Sequence, residues 1–522
     1  MNNFKEKALN GIFDEEDFFA PLLVDTYKVF HKFAYKPGVT HVYSNFTNRF
    51  GKHSNVPNNA EVMNLGLQYA IIEILIKRWN EFFALSKEEA TKKYSTVVNS
   101  ILGKNIPIDH IENLHDLQYL PISIKSLPEG VLVPYGVPSY TVVNTVEGFG
   151  WLTNMLETVM SAETWGISTS ATTAYAYRKR FEAEPSLRKL GIIKFLGHDF
   201  SYRGAWGTQA AAMSGFGHLA SFAGSDTIPA GLFAEKYYGA DFSKELVQAS
   251  VDASEHSVMC SYEDSGEKES LVHLVTNVTP TGIISIVADT WDFWQLVTEY
   301  LPDLKDIIMM RDGTVVIRPD SGDPVKILTG YTPLEYKVLD QKRYEILADG
   351  DISTTALTNC EVKGLIECLY DIFGGTDEAG LRLLDSHIGA IYGDSITLER
   401  QDQIIKRLLA KGFVPNVVLG IGSFSYFFVT RDTHGSAVKA TDVQFGSGNH
   451  TPISKDPKTD QSKKSARGLL RVDLVDGVYT LRSDVTPEEE AGGELKEVFR
   501  DGKLLVVTTL EEIRSRIDAT FA

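Results

Sequence analysis

The sequence predicts an α/β fold in which an irregular TIM-like α/β barrel is joined to an accessory β-rich α+β domain. Two patterns lead to this prediction. Beyond about residue 190, short apolar runs recur and each ends in a small or acidic residue; they cover residues 192–196, 219–222, 283–288, 315–317, 388–392 and 416–419. Residues 118–145 and the stretch after 430 instead mix short β-branched runs with Pro and Gly, which is typical of antiparallel strands and tight turns.

The recurring runs favour a barrel because the loops that follow the strands of an α/β barrel all open on one face, where catalytic residues collect. A doubly wound sheet would give a similar pattern. At 522 residues the chain is too long for one ordinary core. We therefore expect a catalytic barrel domain over residues 188–428 and an accessory domain formed by residues 1–187 together with 429–522.

The other elements follow in chain order. Alternation over residues 40–46 predicts a half-buried strand, and apolar spacings of three and four over 60–117 predict amphipathic helices. Helical spacing returns over residues 151–187. After the barrel runs comes a basic loop at 449–468, and then two short strands and a helix near 510–518; the cations of the loop are Lys455, Lys458, Lys463, Lys464 and Arg467.

Composition and charge exclude several classes of partner. A net charge of -18 and a pI of about 5.2 disfavour nucleic acid and anionic membranes. Three cysteines without CxxC spacing indicate neither a disulfide framework nor a Cys-ligated zinc site. The first residues lack the basic-then-apolar order of a signal peptide, and no apolar run is long enough to cross a bilayer. We expect a cytoplasmic protein whose anionic substrates need a local basic pocket.

Several familiar motifs do not survive a check of their context. GFGHLA at residues 215–220 matches a loosened dinucleotide fingerprint, but it follows an Ala-rich helical stretch instead of a strand. No GxxxxGK followed by Ser or Thr occurs, so a P-loop is excluded, and HExxH is absent too. The common class of phosphoribosyltransferases needs two adjacent Asp residues after a strand, and the sequence contains no such pair.

A set of charged residues at the predicted strand ends remains. Any single strand-end Asp is often only a helix N-cap, yet five on one predicted face, with two arginines, suit a Mg²⁺-bound phosphorylated substrate. Glycines nearby would let backbone N–H groups approach a phosphate. The acids are Asp199, Asp226, Asp289, Asp320 and Asp394, the arginines are Arg203 and Arg318, and the glycines are Gly393, Gly420 and Gly422.

His256, flanked by Glu255 and Ser257, allows two interpretations. It could be a neutral core histidine. The surrounding residues are small and polar, which favours exposure, and an exposed imidazole beside a metal-phosphate site can act as a nucleophile towards phosphate.

Taken together, these motifs resemble those of the nicotinamide phosphoribosyltransferase family, from about residue 20 to near the end of the chain. The resemblance implies a homodimer with an irregular α/β barrel, a β-rich domain and active sites at the dimer interface. It also implies transfer of phosphoribosyl from 5-phosphoribosyl 1-pyrophosphate to nicotinamide. The matching segments are 25–28 (DTYK), 198–204 (HDFSYRG), 224–227 (GSDT), 255–257 (EHS), 317–322 (IRPDSG), 393–394 (GD) and 430–432 (TRD).

The resemblance also implies roles for individual residues. Phe200 and Tyr27 of the partner subunit would sandwich the pyridine ring, while Asp226 accepts from the carboxamide and Arg318 donates to it. Asp320 with Gly393 or Asp394 would hold the ribose, and His198 and Ser285 would be further substrate contacts. Phosphates would meet Arg203, Gly422 and Ser423, together with Arg49, Arg431, Lys439, Lys455 and Lys463 of the partner subunit.

Two cofactors are implied as well. ATP would phosphorylate His256, which lies beside Asp289 and Glu255, and Mg²⁺ would be held through water by Asp289 and Asp320. The sequence departs from the family in two places: Gly422-Ser423-Phe424 stands where three glycines are common, and Ala437 where a serine is expected. These departures bear on phosphate affinity.

Other functions remain open at this point. A nicotinate phosphoribosyltransferase would share the fold and the chemistry, but the Asp226 carboxylate would repel the carboxylate of nicotinate. The clustered acids alone would also allow a metal-dependent barrel hydrolase, although histidines with metal-ligand spacing are missing. A non-catalytic binding protein on the same fold is the third alternative.

Overall fold

The structure, a computed structural model, describes residues 18–378, 380–446, 448–455, 458–459 and 465–522. The chain divides into two compact units. The first comprises residues 1–169 and 431–516, and the second comprises residues 170–430 and 517–522.

The strands in chain order are β1 (Val39–Thr47), β2 (Glu61–Asn64), β3 (Ile122–Ser126), β4 (Val131–Pro134), β5 (Pro138–Asn144), β6 (Gly197–Asp199), β7 (Gly224–Ser225), β8 (Asp252–Ala253), β9 (Ile284–Val287), β10 (Val315–Arg318), β11 (Tyr336–Leu339), β12 (Lys342–Ile346), β13 (Ile352–Leu357), β14 (Gly375–Glu378), β15 (Leu381–Leu384), β16 (Ile388–Tyr392), β17 (Val418–Ile421), β18 (Ala437–Phe445), β19 (Asn449–Pro452), β20 (Leu469–Val475), β21 (Val478–Val485), β22 (Lys496–Arg500) and β23 (Lys503–Leu504).

The α-helices are His31–Ala34, Leu67–Ala70, Trp79–Ala84, Lys87–Leu102, Asp109–Leu117, Trp151–Met155, Glu157–Glu182, Pro185–Leu190, Ile193–Leu196, Thr208–Leu219, Ile228–Tyr238, His256–Cys260, Glu267–His273, Phe293–Gln295, Leu301–Met309, Pro324–Thr329, Asn359–Lys363, Leu365–Phe373, Leu398–Ala410, Ser423–Tyr426, Pro487–Ala491 and Leu510–Ala519. Short 3₁₀ helices cover Ala20–Leu22, Thr26–Phe30, Tyr202–Gly204, Asp264–Gly266 and Arg431–Thr433, and π-helical turns cover Ile71–Arg78, Leu274–Val278 and Leu296–Tyr300.

The first unit is built on an antiparallel sheet in the order β19-β18-β1-β5-β3-β22-β23. Strand β1 pairs with β18 on one side and β5 on the other, so residues near position 40 lie beside residues near 440. Two antiparallel ribbons, β2 with β4 and β20 with β21, add to it. Leu127, Val133, Val472 and Leu495 pack in one of its apolar clusters. The antiparallel strands predicted for residues 118–145 and for the tail are confirmed.

The second unit contains a parallel sheet in the order β7-β6-β17-β16-β10-β9-β8. Its central strands are fully buried through Ile284, Ile286, Val315 and Ile317, as expected for a parallel sheet covered on both faces. Ala249, just before β8, forms an isolated parallel bridge to Gly224 in β7. The sheet is therefore curled. The predicted α/β class with a β-rich unit is confirmed in this form, and a closed TIM-like barrel stays a prediction.

Three predicted barrel strands, at 283–288, 315–317 and 388–392, are confirmed as β9, β10 and β16. Two predictions were wrong in position. Residues Ile193–Leu196 form a helical turn and the strand is Gly197–Asp199. Leu219 ends a helix, residues 220–222 follow it outside any strand, and the strand is Gly224–Ser225. Both true strands contain glycine at a close approach: a Cβ on Gly197 would lie 2.7 Å from the Phe222 ring. Because these strands contain glycine, the more apolar segments next to them were predicted as the strands instead.

An insertion between β10 and β16 was not predicted. It contains an antiparallel three-stranded sheet, β11-β12-β13, and the ribbon β14-β15. All three cysteines are free thiols. Among the helices described, none has the length and apolar content to cross a membrane.

Candidate active site

The carboxyl ends of the parallel strands open into one cavity of about 920 Å³. Asp226 follows β7, Glu255 follows β8, Asp320 follows β10, Asp394 follows β16, and Ser423 follows β17. Because parallel neighbours end at the same edge of the sheet, residues far apart in sequence meet here. Ten predicted site residues line the cavity: Phe200, Arg203, Asp226, Glu255, Arg318, Asp320, Gly393, Asp394, Gly422 and Ser423.

One end of the cavity combines an aromatic ring with a carboxylate. The Phe200 and His198 ring centroids are 4.8 Å apart, and the rings are tilted by 48°. His198 Nε2 lies 2.8 Å from Oδ1 of Asp226, and the Ser250 hydroxyl donates to the same oxygen at 2.5 Å. Burial acts to raise the pKa of Asp226, but the hydrogen bonds and charges of His198, Ser250 and Arg318 outweigh it and lower the pKa. This carboxyl is therefore ionised at neutral pH.

Arg318 lies at the end of β10, also in the cavity wall. Its Nη2 donates to the Ser254 carbonyl at 2.8 Å, which fixes the guanidinium beside β8. Ser254 also accepts a hydrogen bond from Val287 N through its hydroxyl, at 3.0 Å. The hydroxyl of Ser285 is buried and has no hydrogen-bond partner among the described residues. Ser285 lies in β9, and it is not one of the side chains that line the cavity.

His256, Asp289 and Asp320 form a cluster of one imidazole and two carboxylates. His256 Nε2 is 4.0 Å from Oδ1 of Asp289 and 3.9 Å from Oδ2 of Asp320, while its Nδ1 is 3.2 Å from the Thr290 hydroxyl. The His256 side chain is 49% exposed and that of Asp289 only 5%. Asp289 Oδ2 accepts from the backbone N–H of Asp320 at 3.0 Å. The imidazole is open to a reactant, and the buried Asp289 carboxylate is held by the Asp320 backbone.

Burial raises the pKa of Asp320, and the charges of Asp289 and Asp394 raise it further, while Arg318 and His256 oppose the rise. Neighbouring acids therefore repel one another in this cluster, which a cation would relieve. Buried Asp289 Oδ1 has no hydrogen-bond partner in the described chain. Among the described residues, no three His, Cys, Asp or Glu side chains are grouped as direct metal ligands. Carboxylates such as those of Asp289 and Asp320 can hold a hydrated Mg²⁺ through water.

Glycines allow three close approaches in the cavity wall. A Cβ on Gly420 would lie 2.5 Å from Cδ2 of Phe200, one on Gly393 would collide with Oδ1 of Asp320, and one on Gly204 would collide with the Ser423 side chain. Gly420 lies inside β17 and not after it as expected. Gly422 precedes the helical turn Ser423–Tyr426, and a Cβ there would meet nothing within 4 Å.

Five of the predicted phosphate and ring contacts belong to the first unit. Tyr27 is 65% exposed, and Arg49 Nε donates to the Gly435 carbonyl at 2.7 Å. Lys439 lies 3.7 Å from Glu157, and burial lowers its pKa. Arg431 and Lys455 are exposed. Lys463 lies outside the described residues.

Two expectations change with the structure. Asp199 is fully buried, does not line the cavity, and accepts the Ser201 N–H at 2.9 Å; it has a local structural role because it is the last residue of a strand that was predicted to end at residue 196. His256 is not in a loop but begins the short helix His256–Cys260. The GFGH segment lies within the helix Thr208–Leu219, as expected for scaffold.

Several cavity residues were missed from the sequence. Arg400 and Thr397 line the cavity; the Thr397 hydroxyl caps the helix Leu398–Ala410 by accepting from Arg400 N at 3.2 Å, and Arg400 Nη1 donates to the Ser395 carbonyl. Ser250 and Thr290 contact Asp226 and His256. The Thr-x-x-Arg start of an amphipathic helix just after Gly393-Asp394 was the available signal for Arg400. Nothing in the local sequence distinguishes Ser250 or Thr290 from other polar residues.

Comparisons with known proteins identify the family of the chain. Residues 195–503 match the model of the nicotinate phosphoribosyltransferase (NAPRTase) family. A relative named nicotinamide phosphoribosyltransferase, from Acinetobacter baylyi, is 43% identical over 95% of this chain and 96% of its own length. Another of that name, from Mycoplasma pneumoniae, is 30% identical over 86% of this chain and 94% of its own length.

Two solved structures share the fold. A nicotinate-nucleotide pyrophosphorylase from Pyrococcus furiosus aligns with a TM-score of 0.57 at 14% identity, over 98% of this chain and 97% of that one. Human nicotinic acid phosphoribosyltransferase aligns with a TM-score of 0.53 at 14% identity, over 96% and 93%. The chain thus shares its fold with both of these enzymes. From the family match over more than half of the sequence and the relative at 43% identity, the chain belongs to the nicotinate phosphoribosyltransferase (NAPRTase) family.

Proposed function

We propose that the enzyme transfers phosphoribosyl from 5-phosphoribosyl 1-pyrophosphate to nicotinamide, giving nicotinamide mononucleotide and pyrophosphate in NAD salvage. The observation that carries the proposal is an ionised carboxylate, Asp226, and a guanidinium, Arg318, in the wall of a cavity that also contains the Phe200 ring. A carboxamide has one N–H donor group and one carbonyl acceptor. It therefore matches this pair, with the pyridine ring stacked on Phe200.

The preference for nicotinamide over nicotinate rests on charge. Asp226 keeps a lowered pKa, so a bound nicotinate would place its carboxylate beside a second negative charge. The family model is named for nicotinate, while the relatives named above are called nicotinamide phosphoribosyltransferases. The negative charge of Asp226 favours nicotinamide as the substrate.

In the proposed reaction the pyridine nitrogen attacks C1 of the ribose. The C1–O bond to pyrophosphate breaks, and the pyrophosphate leaves with the electron pair. Arg203, Gly422 and Ser423 are suited to a phosphate; Asp320 and Asp394, beside Gly393, are suited to ribose hydroxyls. Mg²⁺ held through water by Asp289 and Asp320 would neutralise charge on the leaving group.

We propose that His256 couples this reaction to ATP. An imidazole nitrogen would attack the γ-phosphorus, and the bond to ADP would break with ADP taking the electron pair; water would later release the phosphate. The exposed ring, the two carboxylates about 4 Å from Nε2 and the flanking Glu255 support this role. They would orient the imidazole and stabilise its positive charge.

A homodimer with shared sites is proposed from the resemblance. Large apolar side chains are exposed in the cavity wall and beside it in the sequence, namely Tyr202, Trp206, Phe424 and Phe428. Such a surface is typical of a protein interface. The partner subunit's Tyr27, Arg49, Arg431, Lys439, Lys455 and Lys463 would complete the ring and phosphate contacts.

We also propose that the curled parallel sheet closes into an irregular α/β barrel. Ala249 bridges to Gly224 at one edge, and Asp252, three residues on, pairs with Ile284 at the other. The segment between Ala249 and Asp252 would close the barrel.

The decisive experiment supplies purified enzyme with 5-phosphoribosyl 1-pyrophosphate, Mg²⁺ and either nicotinamide or nicotinate, with and without ATP. Nicotinamide mononucleotide should be the main product, and ATP should increase its yield. In the Asp226→Asn variant, kcat/KM for nicotinamide should fall roughly 10- to 100-fold, as for loss of a charged hydrogen bond. The difference in kcat/KM between nicotinamide and nicotinate should therefore become smaller. Faster turnover of nicotinate by the unmodified enzyme would overturn the proposal.

A further inference from the structure

The two oxygens of the Asp226 carboxylate have different environments. Oδ1 receives both hydrogen bonds, from His198 Nε2 at 2.8 Å and from the Ser250 hydroxyl at 2.5 Å. Oδ2 accepts no hydrogen bond from the described residues, although Asp226 lines the cavity. Two donors on one oxygen fix the orientation of the carboxylate, so Oδ2 is the oxygen left to meet a ligand.

The His198 imidazole contacts both groups proposed to bind the base. Its Nε2 is used by Asp226, and its ring packs at 4.8 Å against Phe200. The His198 side chain is only 11% exposed, and it is not among the residues that line the cavity. Direct substrate binding, which the family resemblance implied for this residue, therefore finds little support.

The backbone around His198 is fitted to this ring. His198 in β6 is the register partner of Gly224 in β7, where a Cβ would lie 2.9 Å from its Nδ1. Only glycine at position 224 leaves enough space for the His198 imidazole. Ser250 follows Ala249, whose carbonyl accepts from Ser225 N at 2.9 Å. Both donors to Asp226 are thus anchored to the strand that precedes it.

We propose that His198, assisted by Ser250, is the positioning residue for base recognition: it holds the Asp226 carboxylate and the Phe200 ring in the arrangement that reads a carboxamide, without contacting the base itself. The inference rests on the proposed function. It assigns the discrimination between nicotinamide and nicotinate to a group behind the cavity wall as well as to Asp226.

The test compares kcat/KM for nicotinamide and for nicotinate, and KM for 5-phosphoribosyl 1-pyrophosphate, in a series of variants. His198→Leu removes the donor, and kcat/KM for nicotinamide should fall roughly 10- to 100-fold while that for nicotinate falls less. The KM for 5-phosphoribosyl 1-pyrophosphate should not change. His198→Gln can place an amide N–H near the position of Nε2 and should restore most of the preference.

Two further variants keep the test decisive if His198→Leu does not fold. Ser250→Ala removes the second donor from an exposed position and should lower the preference for nicotinamide in the same direction. His387→Leu is the matched control, because His387 forms a similar pair with Asp385 at 2.6 Å outside the cavity. This variant should leave kcat/KM for nicotinamide and for nicotinate unchanged.

Adding His198→Leu to Asp226→Asn separates the two proposals. If His198 acts through Asp226, the second substitution should have little further effect on the nicotinamide preference, since coupled residues are not additive. An unchanged preference in both His198→Leu and Ser250→Ala, with a clear effect of Asp226→Asn, would overturn this inference alone. An unchanged preference in Asp226→Asn would instead remove the proposed reading of the carboxamide, and this inference with it.

Discussion

At the scale of single residues, His256 should be separable from base binding. Its imidazole lies about 4 Å from Asp289 and Asp320 and is not among the residues that line the cavity with Phe200 and Asp226. We expect His256→Ala to lose ATP hydrolysis and to keep basal synthesis of nicotinamide mononucleotide. Phosphate release and product formation, measured in parallel, check this.

The exposed His273 provides the control: His273→Ala should retain both activities. ATP hydrolysis that persists at full rate in His256→Ala would show that the phosphate acceptor is another group.

Arg400 is the residue that we expect to contribute most to phosphate binding beyond the family pattern. It lines the cavity with Arg203 and Ser423, where Ser423 stands in place of a glycine common in the family. We expect Arg400→Gln to raise the KM for 5-phosphoribosyl 1-pyrophosphate roughly tenfold, as for a lost charged hydrogen bond, with little change in the KM for nicotinamide. Lys406→Gln removes one charge from an exposed position of the same helix and should leave both constants unchanged.

Site residues were predictable from the sequence where they lie at the end of a strand of the parallel sheet. Asp226, Asp320 and Asp394 follow strands of the parallel sheet, Arg318 is the last residue of β10, and all four line the cavity. Asp199 is the last residue of β6, as Arg318 is of β10, but it is fully buried and accepts the Ser201 N–H. Whether a side chain at the end of a strand faces the cavity or the interior is decided by packing with neighbouring elements.

At the scale of elements, strand β17 supports the Phe200 ring through Gly420. A Cβ at that position would lie 2.5 Å from the ring, and the surrounding wall is too well packed to yield freely. We expect Gly420→Ala to displace Phe200 and to raise the KM for nicotinamide several-fold. Steady-state kinetics with nicotinamide as the varied substrate measures this.

Gly389 in β16 is the matched control, since its nearest neighbour to a new Cβ would be Val316 at 3.6 Å, an ordinary contact. Gly389→Ala should leave the KM unchanged. Equal effects of the two substitutions would mean that Gly420 has no particular role in placing Phe200.

Elements with a continuous apolar run were predictable, and those without one were not. β9, β10 and β16 carry four or five consecutive residues of the core sheet. β6, β7 and β8 have two or three residues, among them Gly197, Gly224 and Asp252, and they exist because longer neighbours pair with them. The strands β11–β13 of the insertion contain no buried residue, and their sequence gave no periodic signal.

At the scale of the whole molecule, buried histidines should make the fold sensitive to acid. Burial lowers the pKa of His110, His218 and His434 from 6.5 to about 4. The unfolded chain binds protons at these sites below pH 6.5 while the folded protein does not, so stability present above pH 6.5 is lost as the pH falls towards 4. We expect Tm to fall steeply over this interval in calorimetric scans.

His110 offers the sharpest variant for this prediction, because Phe33, Tyr94 and Trp151 surround its ring edge-on. His110→Phe fits among these rings and should flatten the fall of Tm with pH, whereas the exposed His273→Phe should not. An identical slope in the unmodified protein and in His110→Phe would contradict the assignment.

The proposed shared sites of the homodimer can be tested by complementation. Tyr27→Ala and Phe200→Ala should each be nearly inactive. When the two are mixed and allowed to exchange subunits, mixed dimers have one site with both native rings, so activity should recover to about a quarter of the unmodified level if subunits reassort at random. No recovery, despite confirmed exchange, would place both rings of a site in one subunit.

The pairing of β1 with β18 brings Asn45 beside Lys439, and that of β6 with β17 brings His198 beside Gly420. During synthesis, a ribosome must therefore finish nearly the whole chain before either sheet can be completed. Until then β1 and β3 each present an unpaired edge, which is the kind of surface on which nascent chains aggregate. Loop closure over such separations is slow. Yield in cells should thus depend more on chaperone supply and translation rate than the stability of the finished enzyme would suggest.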